Sequence, residues 1–366
     1  MTKHVWHRGP LLAATALALA TIVAFAGTNA VAEDAWSAKV VQTEPVFDLA
    51  NGMLVPADYQ SLATSDISQK WSVCLLVPHT GSEYWVAYTY GAVEEAKRQG
   101  ISLNIFSAGG YSNVAGQIGQ LEDCVTNGAN AIVLVTTSPA GLNNAIAEAR
   151  RNGVVIVDAA NGAETKDIDA RVVVSYRRVG LTVGQYLAEK HPAGSGEVTG
   201  FYLAGPPGAT YVEALRQGFY EGLEGSDVKI LEDYYAPSNK AEQLPLVEDG
   251  LQAYPDVDYI IGGAPGIEAA LDTLRQMDKD ISLIATFQTP FVWDAVEKGE
   301  VEGVVSDFAV LQARLAIDTA LRILEEKPFM QDVAPDSLMV DAGNVSDVDR
   351  STSLAPAGWE PVSSVE

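Results

Sequence analysis

The 366-residue chain contains 48 acidic and 23 basic residues and carries a formal net charge of −25 at pH 7, so a nucleic-acid partner is not expected. Hydrophobic residues make up 48% of the chain, which is enough for a folded core and about two domains and argues against a disordered protein. Of the four histidines, His4 and His7 lie in an N-terminal segment that we expect to be removed, so His79 and His191 are too few for a multi-histidine metal site. The chain has no GxGxxG, GxxxxGK[ST], GxSxG or CxxC motif, which gives no support for a bound cofactor or for a standard catalytic site.

Residues 1–32 have the pattern of a secretory signal peptide. Lys3 and Arg8 are the only charged residues there, an apolar run covers 11–26, and Ala30-Val31-Ala32 forms a small-x-small cleavage site. The alternative is an N-terminal membrane anchor, but a span needs roughly 20 apolar residues and this run is shorter. We therefore expect cleavage after Ala32, export to the periplasm and no stable membrane insertion.

The chain then shows an extension followed by two similar halves. Residues 33–70 have little periodicity and many turn formers, which predicts an irregular N-terminal extension wrapped around the domain that follows. The first half has predicted strands at 73–77, 102–106, 131–135 and 154–157 and helices at 84–99, 113–127 and 140–152. The second has strands at 198–203, 228–234, 259–261 and 281–285 and helices at 209–223, 241–253 and 267–277. The two halves are connected by segment 171–176 and a helix at 179–190. The second half is followed by a segment at 301–307 and a helix at 309–325.

This alternation of strands and helices predicts an α/β protein with two doubly wound, parallel-sheet lobes. Lobe one is assigned to 71–174 plus 308–338, and lobe two to 175–307 plus 339–366, which includes the C-terminal tail. Three crossovers would join the lobes, near 174–176, 304–307 and 338–341. A signal peptide, two such lobes and no catalytic motif are typical of a bilobed periplasmic binding protein rather than an enzyme.

The chain has two cysteines, Cys74 and Cys124. Cys74 lies on the first predicted strand, and the helix that carries Cys124 crosses over that strand if the strand order is 2-1-3. A disulfide between them is geometrically reasonable and would form in an oxidising compartment. The alternative is a pair of buried, inert thiols.

A set of short motifs runs through both halves. It comprises both cysteines, the Tyr84-Trp85 pair, the string AGGYS at 108–112, the Ser306-Asp307 pair and the tail SLAPAGWEPV. With these motifs the chain resembles the type I, sugar-binding-like periplasmic binding proteins, and among them the sensors of trimethylamine N-oxide. The resemblance implies trimethylamine N-oxide or a related methylated amine as the ligand between the lobes. It also implies the periplasmic domain of a membrane sensor histidine kinase as the partner.

The candidate ligand contacts are aromatic residues on strand-to-helix loops and two carboxylates at strand ends, because ligands of such sheets bind outside the carboxyl ends of the strands. They are Tyr84, Trp85, Tyr111, Tyr176, Phe287, Asp158 and Asp307. Ring faces suit a methylated ammonium group, each contributing up to about 2 kcal/mol when desolvated, and a carboxylate suits a cation. In sugar-binding relatives the same rings sandwich a pyranose, and aromatic residues at helix starts also fill cores.

Two rival functions remain open. One is a transport receptor that delivers a sugar or polyol to an ABC permease, since Asp158 resembles the strand-end aspartate of sugar binders. The other is a secreted hydrolase that uses His79 or His191. Arg171, Arg177 and Arg178 cluster at the first crossover and are interpreted as solvated charges.

Overall fold

The computed structural model describes residues 1–2, 34–48 and 52–366 of the protein. Apart from its first two residues, the predicted signal peptide with its cleavage site lies outside the described residues. In the part of the chain that is described, no helix is both long and apolar enough to cross a bilayer.

The N-terminal extension contains a β-hairpin. Strands β1 (Ser37–Glu44) and β2 (Met53–Gln60) pair antiparallel along their whole length. The prediction of an irregular extension is therefore wrong for these strands. Val40 packs into the core of lobe one whereas the adjacent Val41 packs against residues of lobe two. Because β1 buries residues on both faces, its sequence lacks the alternation that reveals a half-buried strand.

Lobe one begins with a parallel sheet whose helices cover both faces. Its elements are β3 (Ser72–Val77), α1 (Glu83–Gln99), β4 (Ser102–Ser107), α2 (Val114–Thr126), β5 (Ala131–Leu134), α3 (Asn143–Arg151), β6 (Val155–Ala159) and β7 (Ala170–Val172). Helix α1 ends at Gly100, which has the left-handed φ of 67° that glycine adopts without strain. The strand order β4-β3-β5-β6-β7 contains the predicted 2-1-3 arrangement.

A disulfide joins Cys74 on β3 to Cys124 on α2 across a sequence separation of 50 residues. Both cysteines are buried in the layer between the sheet and helices α2 and α3. The alternative of two free thiols is therefore wrong in this structure.

Lobe two repeats the architecture. Its elements are α4 (Tyr176–Lys190), β8 (Val198–Gly205), α5 (Thr210–Gly222), β9 (Val228–Tyr235), α6 (Lys240–Ala253), β10 (Tyr259–Gly262), α7 (Ala264–Met277), β11 (Ser282–Ala285), α8 (Pro290–Glu297) and β12 (Gly303–Ser306). Strands β12-β11-β10-β8-β9 pair in that order, all parallel. Helix α8 was not predicted, because eight residues starting at a proline are too few for a helical period to emerge.

Helices α4 and α5 pack with their backbones in contact. A Cβ atom on Gly180 would lie 1.9 Å from the main-chain oxygen of Leu215, and one on Gly218 would lie 1.8 Å from that of Arg177. Any side chain at these positions would push the helices apart, so the glycines fix the distance between the two helices.

The chain passes between the lobes along its last four elements. They are α9 (Ala309–Leu324), β13 (Val333–Pro335), β14 (Leu338–Asp341) and β15 (Ser364–Val365). Helix α9 packs into the core of lobe one, β13 pairs with β1, and β14 joins the sheet of lobe two antiparallel to β12. The third crossover therefore precedes β14 instead of coinciding with it. Strand β15 pairs with β4, so the tail that was assigned to lobe two ends in lobe one. Two α/β lobes with mostly parallel sheets confirm the predicted fold class.

Candidate functional site

The seven predicted site residues lie at the carboxyl ends of strands or at crossovers. Tyr84 and Trp85 follow β3, and Tyr111 follows β4. Asp158 lies near the end of β6, Tyr176 opens α4, Phe287 follows β11, and Asp307 connects β12 to α9. This is the edge of both sheets at which ligands of doubly wound folds bind.

Lobe one contributes a cluster of rings in edge-to-face contact. The Tyr84 and Trp85 ring centroids are 5.0 Å apart, and the His79 ring lies 6.3 Å from Trp85 and 5.8 Å from Tyr111. Trp85 is 5% exposed and Tyr111 is 48% exposed, so the cluster runs from the core to the surface. The cluster leaves an aromatic ring available to a ligand at its open end.

The sequence suggests His79 only as the catalytic base of a hydrolase. The structure places its ring in this aromatic cluster. The backbone N–H of Gly81 donates to its Nδ1 at 3.2 Å. Burial lowers the pKa of His79, so the ring is neutral and carries its proton on Nε2. It therefore provides a hydrogen-bond donor without a positive charge.

Asp307 is the centre of a hydrogen-bond network that joins the two lobes. Its Oδ2 accepts from the Tyr84 hydroxyl of α1 at 3.0 Å, and its Oδ1 accepts from Nε2 of Gln288, which follows β11, at 3.1 Å. Nε2 of Gln312 on α9 donates to the main-chain oxygen of Asp307 at 2.8 Å and to the Tyr84 hydroxyl at 3.1 Å. The carboxylate is thus held in place from both lobes.

Asp307 also differs from the other buried acids of the described residues in lacking a cation. The buried acids are Glu95, Asp158, Asp307, Asp318 and Asp332. Glu95 pairs with Arg98 and Arg314, Asp158 with Arg171, and Asp318 with Arg322. Burial raises the pKa of Asp332, and the positive charge of Arg171 acts on it in the opposite direction.

No basic group of the described chain offsets the charge of Asp307. Burial raises its pKa, and only the neutral donors Gln288, Tyr84 and Gln312, with a backbone N–H, act in the opposite direction. A buried carboxylate without a cation is costly in the free protein and becomes favourable when a positive group binds beside it.

Lobe two contributes Tyr176, Tyr211 and Phe287. The Tyr176 and Tyr211 rings, at the starts of α4 and α5, lie 5.4 Å apart. Burial, with the nearby Tyr111 and Asp307, raises the pKa of Tyr176, so its hydroxyl stays protonated as a donor. Phe287 packs against the core of lobe two and faces Gly263, where a Cβ would lie 3.1 Å from its ring.

Asp158 is held in a buried ion pair. Its Oδ2 accepts from Nε of Arg171 at 2.7 Å and from the backbone N–H of Ala163 at 2.9 Å, whereas its Oδ1 has no partner among the described residues. Burial raises the pKa of Asp158 to about 6, against the effect of Arg171. Arg171 is 3% exposed, so its interpretation as a solvated charge is wrong. Arg177 and Arg178 remain partly exposed.

Two cavities lie at the edges of the sheets opposite to the candidate site. One, of about 380 Å³, is lined by residues at the start of β6 and the end of α3, and the other, of about 590 Å³, by residues at the starts of β8, β10 and β11. Neither contains a predicted site residue. The described residues hold no group of three or more His, Cys, Asp or Glu side chains placed to ligate a metal.

The sequence missed four residues of the site: His79, Tyr211, Gln288 and Gln312. Gln288 and Tyr211 each follow a strand of lobe two, as the predicted residues do, and that position was the available signal. Gln312 lies inside α9, and nothing in the sequence connects it with Tyr84, from which it is 228 residues distant.

Comparisons with known proteins agree with this architecture. A sequence profile described as "Periplasmic binding protein domain" matches residues 73–328. Periplasmic protein TorT of Escherichia coli K12 is 28% identical over 294 residues, covering 80% of this chain and 84% of that protein.

Two solved structures extend the comparison. A crystal structure of an ABC transporter solute-binding protein from Bradyrhizobium sp. BTAi1, with bound Bis-Tris, is 37% identical with a TM-score of 0.85 and covers 89% of this chain and 98% of its own. A TorT chain in complex with the TorS sensor domain is 30% identical with a TM-score of 0.74 and covers 80% of this chain and 99% of its own. Periplasmic binding proteins are non-enzymatic ligand binders or sensors, which confirms the expectation that the chain is not an enzyme.

Proposed function

The chain belongs to the periplasmic binding protein family, and from that premise we propose that it binds a small alkylated amine between its lobes and signals to a membrane sensor histidine kinase. Trimethylamine N-oxide, the ligand implied by the sequence resemblance, is the N-oxide of such an amine and has a positively charged nitrogen but no net charge. The proposal includes export to the periplasm by a signal peptide cleaved after Ala32.

The observation that carries the proposal is the buried carboxylate of Asp307. It lies beside Tyr84 and near Tyr176, and it has no cation within the described chain. A ligand with a positively charged nitrogen would supply that cation. A neutral sugar would leave the charge without compensation.

The rings support the same class of ligand. A methylated ammonium group binds to aromatic faces, and each desolvated ring contributes up to about 2 kcal/mol. Three or four of Tyr84, Trp85, Tyr111, Tyr176 and Phe287 would supply much of the roughly 8 kcal/mol that micromolar affinity requires. Bis-Tris, bound to the Bradyrhizobium protein, is itself a substituted amine.

The partner is inferred from relatives. TorT has been crystallised with the TorS sensor domain both without ligand and with TMAO. A change in the angle between the lobes would alter the surface that such a partner contacts. By linkage, a partner that prefers one lobe arrangement must change the ligand affinity by the same factor.

A second candidate is an ABC transport receptor, which the 37% identity to a transporter's solute-binding protein favours. The two candidates differ in what neighbours the gene, a kinase or a permease. They also differ in the membrane protein that the liganded receptor would contact, a sensor kinase or a permease. Both candidates are compatible with the same ligand.

The test of the ligand class is a calorimetric titration of residues 33–366 with trimethylamine N-oxide, trimethylamine, glycine betaine, ribose and galactose. We expect saturable binding of at least one amine with micromolar affinity and no binding of either sugar. Tight binding of a sugar with no response to any amine would contradict the proposal and favour a sugar transport receptor.

A further inference from the structure

Two buried glutamines flank Asp307, and both use only half of their hydrogen-bonding groups. Gln288 and Gln312 are each 1% exposed. Their Nε2 atoms donate to the carboxylate of Asp307 at 3.1 Å and to its main-chain oxygen at 2.8 Å. Because carboxylate and carbonyl oxygens only accept, these bonds fix both amides with the nitrogen towards Asp307.

The amide oxygens are left without donors. Oε1 of Gln288 and Oε1 of Gln312 are buried and have no hydrogen-bond partner in the described part of the chain. Gln117 in lobe one shows the satisfied arrangement, since its Nε2 donates to Val135 at 2.8 Å and its Oε1 accepts from the backbone N–H of Thr137 at 2.7 Å. A buried acceptor without a donor is unfavourable unless something else supplies the donor.

The neighbourhood of Asp307 therefore combines a buried carboxyl group, whose charged form a cation would stabilise, with two open acceptors. We infer that the ligand brings hydrogen-bond donors together with its positive charge, so that it is either a protonated amine, which has an N–H, or an ammonium ion that carries hydroxyl groups. This narrows the proposed function and rests on it. Quaternary ammonium ions without hydroxyl groups and the unprotonated N-oxide have no donor and should bind less well.

Trimethylammonium and tetramethylammonium make the sharpest pair of probes. Both carry one positive charge at pH 7, and they differ in that one N–H is replaced by a methyl group. Satisfying one buried acceptor changes affinity by roughly 10- to 100-fold. We expect trimethylammonium to bind at least about tenfold more tightly in calorimetric titrations of residues 33–366.

A glutamine variant separates the donor requirement from ligand size. Gln288→Met removes one acceptor at similar volume and should lower the ratio of the two affinities, and the double variant with Gln312→Met should bring it close to one. The matched control is Gln99→Met. Gln99 is also buried with an unpartnered Oε1, but it lies at the other end of α1, about 22 Å from Tyr84 at 1.5 Å per residue. This control should leave the ratio unchanged.

The outcomes are distinguishable. Equal or tighter binding of tetramethylammonium or of trimethylamine N-oxide by the wild type would overturn the donor requirement and leave the cation site standing. A preference for trimethylammonium that persists unchanged in Gln288→Met and in the double variant with Gln312→Met would assign it to size or to an N–H donated to the Asp307 carboxylate. Either result would overturn the inference that the amide oxygens select the ligand. Absence of binding by every amine would overturn the proposed function, and the inference with it.

Discussion

The two lobes hold their parts of the site by different means. In lobe one, Tyr84 and Trp85 follow β3, and the disulfide from Cys74 ties that strand to α2. In lobe two, Tyr176 and Tyr211 stand at the starts of two helices whose backbones touch at glycines. One half therefore depends on a covalent link and the other on close helix packing. Perturbations of the two should affect stability and binding in separable ways.

The largest expected effect comes from removing the covalent link of lobe one. Replacing both Cys74 and Cys124 by alanine opens a loop of about 50 residues, which should lower the free energy of unfolding by about 4 kcal/mol on the chain-entropy estimate. Urea unfolding of the variant and the wild type measures the change. A loss below about 1 kcal/mol would show that the disulfide does not determine the stability of this lobe.

The buried ion pair of lobe one gives the next effect. Arg171→Met leaves the carboxylate of Asp158 buried without its cation, which should destabilise the protein by about 3 kcal/mol at pH 8. Burial already raises the pKa of Asp158 to about 6, and loss of Arg171 raises it further. The folded variant therefore binds a proton more readily than the unfolded chain, and its stability falls as pH rises from about 4.

Unfolding of this variant at pH 5 and pH 8 provides the check. The deficit relative to the wild type should be smaller at pH 5, where Asp158 is protonated. A deficit that is the same at both values would contradict the role given to this pair.

Close packing in lobe two gives an effect of about 2 kcal/mol. In Gly180→Ala the new Cβ would meet the Leu215 main-chain oxygen at 1.9 Å, so α4 and α5 must separate. Tyr176 and Tyr211 should move apart with them, and ligand affinity should fall as well as stability. Thermal unfolding and calorimetric titration report the two effects.

The control is Gly119→Ala on α2, where a Cβ would meet nothing within 4 Å. Alanine there should leave stability unchanged or raise it by up to about 1 kcal/mol. If Gly180→Ala behaved like this control, the helix contact would not position the rings.

The smallest effect concerns the exposed end of the ring cluster. Tyr111→Leu removes a ring that is 48% exposed, so stability should hardly change while affinity for the amine falls about five- to tenfold, or about 1 kcal/mol. Phe329→Leu, an equally conservative change at a ring that is 41% exposed, should alter neither. Equal affinities for the wild type and Tyr111→Leu would remove Tyr111 from the site.

The rings of the candidate site could be proposed from the sequence, whereas most of its polar network could not. Tyr84, Trp85 and Tyr111 could be proposed because they lie at the junction of a predicted strand with the helix that follows it and in motifs shared with the resembled family. The partners of Asp307 could not, because Gln312 and Tyr84 are 228 residues apart and meet only in the folded chain. Arg171 was misplaced for a related reason: arginine is mostly exposed, and only the fold brings Asp158 close enough to bury it. Strand β1 escaped detection because it packs on both faces.

The most direct test of the account is the charge of Asp307, measured by calorimetric titration of the wild type and Asp307→Asn with trimethylammonium. The account predicts that the variant binds at least about 100-fold more weakly, because a buried charge pair is lost. It also predicts that the unliganded variant is at least as stable as the wild type, because a buried carboxylate without a cation has been removed. Undiminished binding of the cation by Asp307→Asn would contradict the central claim that this carboxylate binds a positively charged ligand.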